Sequence, residues 1–374
     1  MAATQPSPET APAPGQDLQA PGAGAVRRGL WTRPRCRQIL VAAGLVAVAG
    51  VLGWFIPTPY VVTAPGTAYD AAGMVRVPGA VDPEHPGRFL VLTVTSRQAN
   101  LYWYLYGRLY PWRVRLQPLD EALGAYPDYQ QYEADAAALM AESRLYAAAA
   151  ALRLLGYPVR VEPRGARVVA LTTDSPSGGL LQPGDRIVAV AGQPVPGVRE
   201  LMAALRQHPP GQPLPVTVER GGGRLERTVP TGRHRSGEGA ALGILVRDAF
   251  AVELPLAVEV EPGGITGPSA GLIFSLEIVE QLTGEPLAGD LRVAGTGAVD
   301  PEGRVGPVGG VPQKVYTAEA AGARVLFVPR ENYAEARAVA TRVEVVAVGS
   351  VEEAVAWLRA HRSEVPGTGS AGRG

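Results

Sequence analysis

A chain of 374 residues with a single lysine has made an unusual choice, for every basic side chain other than Lys314 is arginine. Cysteine is as scarce. Cys36 stands alone, so neither a disulfide framework nor a cysteine metal cluster can form within the chain. The four histidines, His85, His208, His234 and His361, are scattered without HExxH or similar spacing, which argues against a metalloenzyme; no metal and no cofactor are expected. Net charge is absent too: 35 acidic residues balance 35 basic ones, which removes any bulk electrostatic case for nucleic acid or an anionic partner. No GxxxxGK[ST] occurs, and without it there is no P-loop and no ATP-driven work.

What is present is a chain long enough for two or three domains at about 100–200 residues each. Its hydrophobic content of 46% is enough for a real core. The preference for arginine runs through the whole chain, which makes the exception at Lys314 informative. A guanidinium cannot be deprotonated in a protein, whereas a desolvated ammonium becomes a neutral amine and a base. The competing reading is chance, since one leftover lysine must sit somewhere.

Residues 1–37 open with a Pro-, Ala- and Gly-rich stretch with little to bury, and read as a disordered cytoplasmic tail. The arginines Arg27, Arg28, Arg33, Arg35 and Arg37 then precede "ILVAAGLVAVAGVLGWFI", whose uncharged length is close to the ~20 residues of a bilayer-crossing helix. With no further arginine until Arg76, the positive-inside rule predicts a single-pass transmembrane helix over 38–57, with the N-terminus cytoplasmic and the rest extracytoplasmic. A cleaved signal peptide and a buried core helix are the alternatives. Cys36 lies before the span, out of place for lipid attachment.

Residues 58–155 form an extracytoplasmic α/β segment of short strands, an aromatic run "LYWYLYGRLYPW" that reads as core or as membrane-proximal surface, and an Ala-rich helix from about 132 to 155 ended by Gly156. Residues 156–232 change character. "SPSGGLLQPGDRIVAVAGQPV" resembles the most recognisable run of PDZ domains, a β-rich fold that binds extended peptides, often C-termini, by strand addition. The family's carboxylate loop has one Leu-Gly candidate, Leu155-Gly156-Tyr157, which reads equally well as a helix C-cap.

Residues 238–362 form the last domain, α+β in character, before a disordered tail at 363–374. Ser269 sits in "GPSAG", where the chain turns into a helix. Pro268 stiffens the approach, small residues Gly267 and Ala270 permit close contact, and helix N-terminal amides could hold an oxyanion. By itself a serine there is an ordinary N-cap. A hydroxyl needs a base before it attacks, and no histidine lies between Phe250 and Ala360. A neutral lysine is the remaining base, and Lys314, amid Val308, Val311 and Val315, would have its pKa lowered by burial.

These stretches, with "AGTGAVDPEGRVGPVGGVPQK", "AAGARVLFVPREN" and "VEVVAVGSVEEAVAWL", resemble the proteolytic domain of Lon proteases. The resemblance implies Ser269 as nucleophile, Lys314 as general base and Thr296 orienting the lysine. The arrangement of anchor, PDZ and Lon-type domain resembles bacterial membrane-anchored, PDZ-containing Lon-like proteases. Three positions depart from the pattern: Thr266 stands where an acid precedes the serine, Ala298 where a glutamate follows "TG", and Tyr333 where the anchored subfamily suggests cysteine. "LMAESRLYAAAAAL" is similar to the helix before the catalytic half, which would make 58–155 the first part of a Lon-type domain with the PDZ domain inserted. The expectation is an ATP-independent serine endopeptidase acting on unfolded or C-terminal segments of proteins, assembled as a homo-oligomer, with a hexamer suggested by the resemblance. The alternatives are a non-catalytic PDZ peptide-binding scaffold with a decayed protease domain and, less favoured, a signal-peptide-processing enzyme.

Overall fold

The computed structural model describes residues 33–361 apart from 81, 82, 84, 85, 124–128, 173, 235, 236 and 238; the two expected disordered tails, except for 33–37, and His85 lie outside the described residues. The chain divides into a unit ending at Leu52 and a body from Gly53 onward.

Helix α1 (Arg33–Phe55) contains the apolar run. Among the described residues no helix is long and apolar enough to cross a membrane, so the span expected over 38–57 is not found. The uncharged run of α1 is preceded by Arg33, Arg35 and Arg37 and followed by Pro57.

The first sheet of the body is assembled from distant pieces of sequence. Strands β1 (Pro57–Asp70), β2 (Arg88–Asn100) and β3 (Arg115–Pro118) come from the first third of the chain. Three others, β9 (Arg292–Gly295), β10 (Val325–Pro329) and β11 (Glu344–Val348), come from the last. The order is β11-β10-β9-β2-β1-β3, and the join is the parallel pairing of Phe89 with Val293 and of Val91 with Gly295. Period-two alternation sends neighbours to opposite faces. Phe89, Val91 and Phe327 pack with helices α3 (Tyr129–Leu154), α5 (Gly271–Thr283) and α8 (Val351–His361). Leu90, Leu92, Leu326 and Val328 pack with α6 (Val311–Ala320) and α7 (Tyr333–Val339). Helices therefore cover both faces of one mixed sheet.

Helix α3 forms because its sequence is rich in alanine and free of Gly and Pro. Gly156, at φ +82, ends it. Ala147, Ala148, Ala150 and Ala151 are buried, and small side chains let α5 approach so closely that Ser275 Oγ donates to the Ala147 carbonyl at 3.2 Å.

Between the two groups of strands lies the second sheet: β4 (Arg160–Leu171), β5 (Arg186–Val190), β6 (Leu214–Arg220), β7 (Gly223–Val229) and β8 (Ile244–Glu253) in the order β8-β4-β5-β6-β7, with helix α4 (Val198–Gln207) beside it. Its core is a separate cluster around Ile187, Leu201, Leu214 and Val218. Strand β8 lies beyond the expected limit near 232–238 and pairs with β4 along its whole length, from Ile244 with Leu171 to Glu253 with Arg160. The aromatic run is corrected where it was read as core: Tyr102, Leu105, Tyr106, Leu109, Tyr110 and Trp112 are exposed.

Candidate active site

The first sheet positions the site at the end of its central parallel strand. Strand β9 stops at Gly295, and Thr296 and Gly297 follow directly. A short 3-10 turn, Pro268–Ala270, leads into α5 on one side of this point, and α6 rises from Gly310 on the other. Gly310 is left-handed at φ +69, where a side chain would be strained; a Cβ would also sit 3.1 Å from Val94.

Hydrogen bonds stitch the two sides together. The Ser269 carbonyl accepts from the Gly297 amide at 2.9 Å and from Thr296 Oγ1 at 3.2 Å. Lys314 Nζ in turn donates to Thr296 Oγ1 at 2.9 Å. Thr296 thus links the lysine to the main chain of the serine. Ser269 and Lys314 line the same cavity of about 710 Å³. One wall is residues 92–96 of β2, just past the last residue paired with β9; another is the glycine-bearing loop 261–267.

Lys314 is 3% exposed, with Val311 and Val315 fully buried beside it on α6 and Val308 packed on the same cluster. Burial alone pushes its pKa down to about 7, since no carboxylate is near enough to restore the charged form. The single lysine is thus half neutral near physiological pH, a state unavailable to arginine.

Other expected residues fall in different places. Gly267 lines the cavity and Pro268 sits behind it as a carbonyl acceptor, while Ala270 is buried. Of the amides at the helix start, Gly271 N–H donates to the Pro268 carbonyl and Leu272 N–H to the Gly297 carbonyl. The Ala270 amide belongs to the 3-10 turn itself, which leaves the Ser269 amide without an acceptor among the described residues. Thr266 lines the cavity, and Ala298 begins a two-residue strand. Tyr333, half exposed, begins α7.

Three supports escape sequence reasoning. Ser143, buried on α3, donates from Oγ to the Pro268 carbonyl at 3.0 Å, so a helix far away in sequence holds the turn that carries Ser269. Asn332 brackets Val308, its Oδ1 accepting from the amide and its Nδ2 donating to the carbonyl, which fixes the loop before Lys314. Glu142, one residue before Ser143, pairs with both Arg167 of β4 and Arg247 of β8, and Tyr146 Oη accepts from the Phe250 amide at 3.1 Å. Helix α3 therefore holds the second sheet and the serine turn at once. A serine or glutamate in an Ala-rich helix carries no local signal of such a partner.

Strand β8 is an edge strand with α4 beside it, tied where Asp248 Oδ1 accepts from the Val198 amide at 2.7 Å. Leu242-Gly243-Ile244 leads into this strand. Gly243 has φ +68, and a Cβ there would lie 2.7 Å from Pro176 Cδ and 2.8 Å from Ser175 Cα, so only glycine fits. The carboxylate-loop candidate at Leu155-Gly156-Tyr157 is instead a helix C-cap, with the Gly156 amide donating to the Arg153 carbonyl.

Comparison with known proteins matches two separate stretches of the chain. Residues 253–360 match the Lon protease (S16) C-terminal proteolytic domain, and residues 154–231 match the PDZ domain. The chain is 38% identical over 138 residues to Lon protease 1 of Herpetosiphon aurantiacus, covering 34% of this chain and 16% of that protein. It is 41% identical over 87 residues to the Lon protease of Halothermothrix orenii, covering 23% and 11%. The chain thus spans less than a fifth of the length of these relatives. Among solved structures, the PDZ domain of the SdrC-like protein Lmo2051 of Listeria monocytogenes aligns at 18% identity over 22% of this chain and 87% of that one, with a TM-score of 0.21. A Lon-type proteolytic domain and a PDZ domain are both present, and the matches support a serine peptidase.

Proposed function

We propose that the chain is an ATP-independent serine endopeptidase in which Ser269 and Lys314 form the catalytic dyad. The observation that carries this reading is the buried lysine without a counter-charge, its pKa brought to about 7, lining the same cavity as Ser269. Neutral Lys314 takes the proton from Ser269 Oγ as the oxygen attacks a peptide carbonyl carbon. The Ser269 amide, at the turn that opens the helix, stabilises the oxyanion. The tetrahedral intermediate collapses with cleavage of the C–N bond, the lysine ammonium returns its proton to the leaving amine, and water then hydrolyses the acyl-enzyme by the same proton path. Thr296 orients the lysine.

The proteolytic domain is on this reading discontinuous, with residues 57–155 supplying half of its sheet and the PDZ domain inserted after them. An extended substrate segment would add to the open edge of residues 92–96, and a peptide C-terminus would bind at β8 with Leu242-Gly243-Ile244 as the carboxylate loop. Attachment to a membrane through 38–57, with the domains extracytoplasmic, rests on the arginine cluster, the apolar run and the exposure of Ile39, Leu40, Val51 and Leu52 on α1. A homo-oligomer rests on the likeness to Lon proteases alone.

The test is cleavage of unfolded fluorescent casein by the wild type, Ser269→Ala and Lys314→Arg without ATP, with folding of each checked by circular dichroism. Loss of cleavage in both variants, with folding intact, is expected. Cleavage surviving in Lys314→Arg would overturn the dyad. A wild type that neither cleaves nor labels at Ser269 with a fluorophosphonate would favour the scaffold reading.

A further inference from the structure

Helix α2 (Leu101–Leu109) is amphipathic in the wrong sense. Its exposed side chains Tyr102, Leu105, Tyr106 and Leu109 recur at i, i+3, i+4 and i+7, the spacing that normally marks a face turned to the core. The opposite face carries buried Gly107, packed on Leu116 so tightly that a Cβ would come within 2.5 Å of it. The apolar outer stripe is extended by Tyr110 and Trp112 through ring contacts, Tyr106 to Tyr110 at 4.8 Å and Tyr110 to Trp112 at 5.5 Å. Leu109 and Trp112 are 68% and 63% exposed, far more than a soluble surface needs.

Two further observations say what covers this face. The segment that carries it has charge of one sign: residues 97–118 contain Arg97, Arg108, Arg113 and Arg115 and no acid, in a chain whose charges balance overall. The end of the apolar run is also pinned to it. Asn100 Nδ2 donates to the Trp54 carbonyl at 3.1 Å and the Leu101 amide to the Ile56 carbonyl at 3.1 Å, while Trp54 and Tyr102 lie ring to ring at 6.2 Å. Exposed Trp54, Phe55 and Ile56 thereby join the face. Tyrosine and tryptophan with an apolar body and a polar tip, rimmed by arginine, suit the headgroup layer of an anionic bilayer.

We propose that the face formed by Trp54–Ile56, α2 and Trp112 is an interfacial docking surface that lies on a bilayer rich in anionic lipid. It shares Trp54–Ile56 with the span proposed for 38–57 but does not require that segment to cross the bilayer. Because Arg108 and Trp112 border a cavity of about 700 Å³ that also reaches Pro312 and Gln313 of α6, the docked face adjoins the helix that carries Lys314.

The test uses the full chain with Cys36→Ser and one introduced cysteine carrying a polarity-sensitive fluorophore. Leu109→Cys reports the face, and Glu344→Cys, exposed on the strand at the opposite edge of the sheet, is the reference. Both are mixed with phosphatidylcholine vesicles and with vesicles containing phosphatidylglycerol, with and without bromine in the upper acyl chain. Flotation reports membrane attachment, and quenching reports the face. The expected result is a blue shift and at least threefold stronger bromine quenching at 109 than at 344, larger with phosphatidylglycerol. Flotation without this difference overturns the docking face and leaves the span standing. Failure to float with phosphatidylglycerol overturns the docking face as well. A blue shift at 109 without lipid, insensitive to bromine, assigns the face to a second copy of the chain and also overturns it.

Discussion

Two charged sites in the body of this protein are withdrawn from water, and they are treated in opposite ways. Glu142 has about a quarter of its side chain exposed and is met by two guanidinium groups, from Arg167 and Arg247. Lys314 is almost wholly buried and is met by a hydroxyl, Thr296 Oγ1. Compensation makes the first site a joint between α3 and the second sheet, with every charge answered. Leaving the second uncompensated places the cost of desolvation on the ammonium itself, which responds by giving up its proton near neutral pH. The difference between a structural ion pair and a reactive amine is here one of partners.

The sharpest way to break this contrast is to make the lysine permanently charged. Lys314→Arg is expected to lower kcat/KM for casein by roughly a thousandfold or more, as measured by initial rates, since the variant has no neutral form. Lys314→Met should be equally inactive yet more stable. The folded pKa of about 7 lies below that of a free lysine, so between about pH 7 and 10.5 the unfolded chain binds the extra proton. Stability therefore rises with pH across that window, and the cost of the burial is fully present below it. Removing the amine should gain on the order of 4 kcal/mol at pH 7, read by denaturant unfolding.

The same pKa sets the pH profile. Log kcat/KM should climb with unit slope below about pH 7 and level off above it, so that activity at pH 5 is about a hundredth of the plateau. A profile flat from pH 5 to 8 would remove the lysine from the role of base. A smaller effect is expected at Thr296→Val, which keeps the volume and deletes the hydroxyl that receives the ammonium and holds the Ser269 carbonyl. Here kcat should fall about 10–100-fold with KM little changed, because the amine survives but loses its aim.

The compensated site should behave in the other way. Glu142→Ala leaves Arg167 and Arg247 facing each other without their carboxylate, so a loss of about 1–3 kcal/mol in thermal or denaturant unfolding is expected, with at most a fewfold change in kcat and no change in the shape of the pH profile. A shifted pH midpoint in this variant would mean that the joint tunes the site, and the contrast drawn above would fail.

Several parts of the molecule were legible before folding was considered. Ser269 on a glycine-flanked turn and Lys314 as the lone lysine stand out by local backbone and chemistry, whereas Thr296 was reached only through the resemblance to Lon proteases. The Ala-rich helix and its glycine stop were readable for the same reason, and the helix runs from Tyr129 to Leu154. The supports were not. Ser143 reaches the Pro268 carbonyl across 125 residues, and nothing in "LMAESRLY" marks that serine as the one that points at the Ser269 turn. The edge strand β8 was hidden for a related reason: it follows the sheet it joins and arrives after the recognisable PDZ stretch has ended.

By itself, then, the amino-acid sequence determined which chemical groups are available. One lysine, one serine poised at a helix start and no histidine nearby leave few ways to activate a nucleophile. It also determined the local elements, since propensity, period and glycine conformation act within a few residues. Only the tertiary structure decided that strands from the first and last thirds of the chain share one sheet, that the lysine is buried with a hydroxyl and no carboxylate beside it, and that an apolar helical stripe faces outward. Each of these is a matter of which distant surfaces meet. A pKa depends on the solvent and charges that packing leaves around a group, and exposure depends on what fails to cover it; neither is a property of the residue alone.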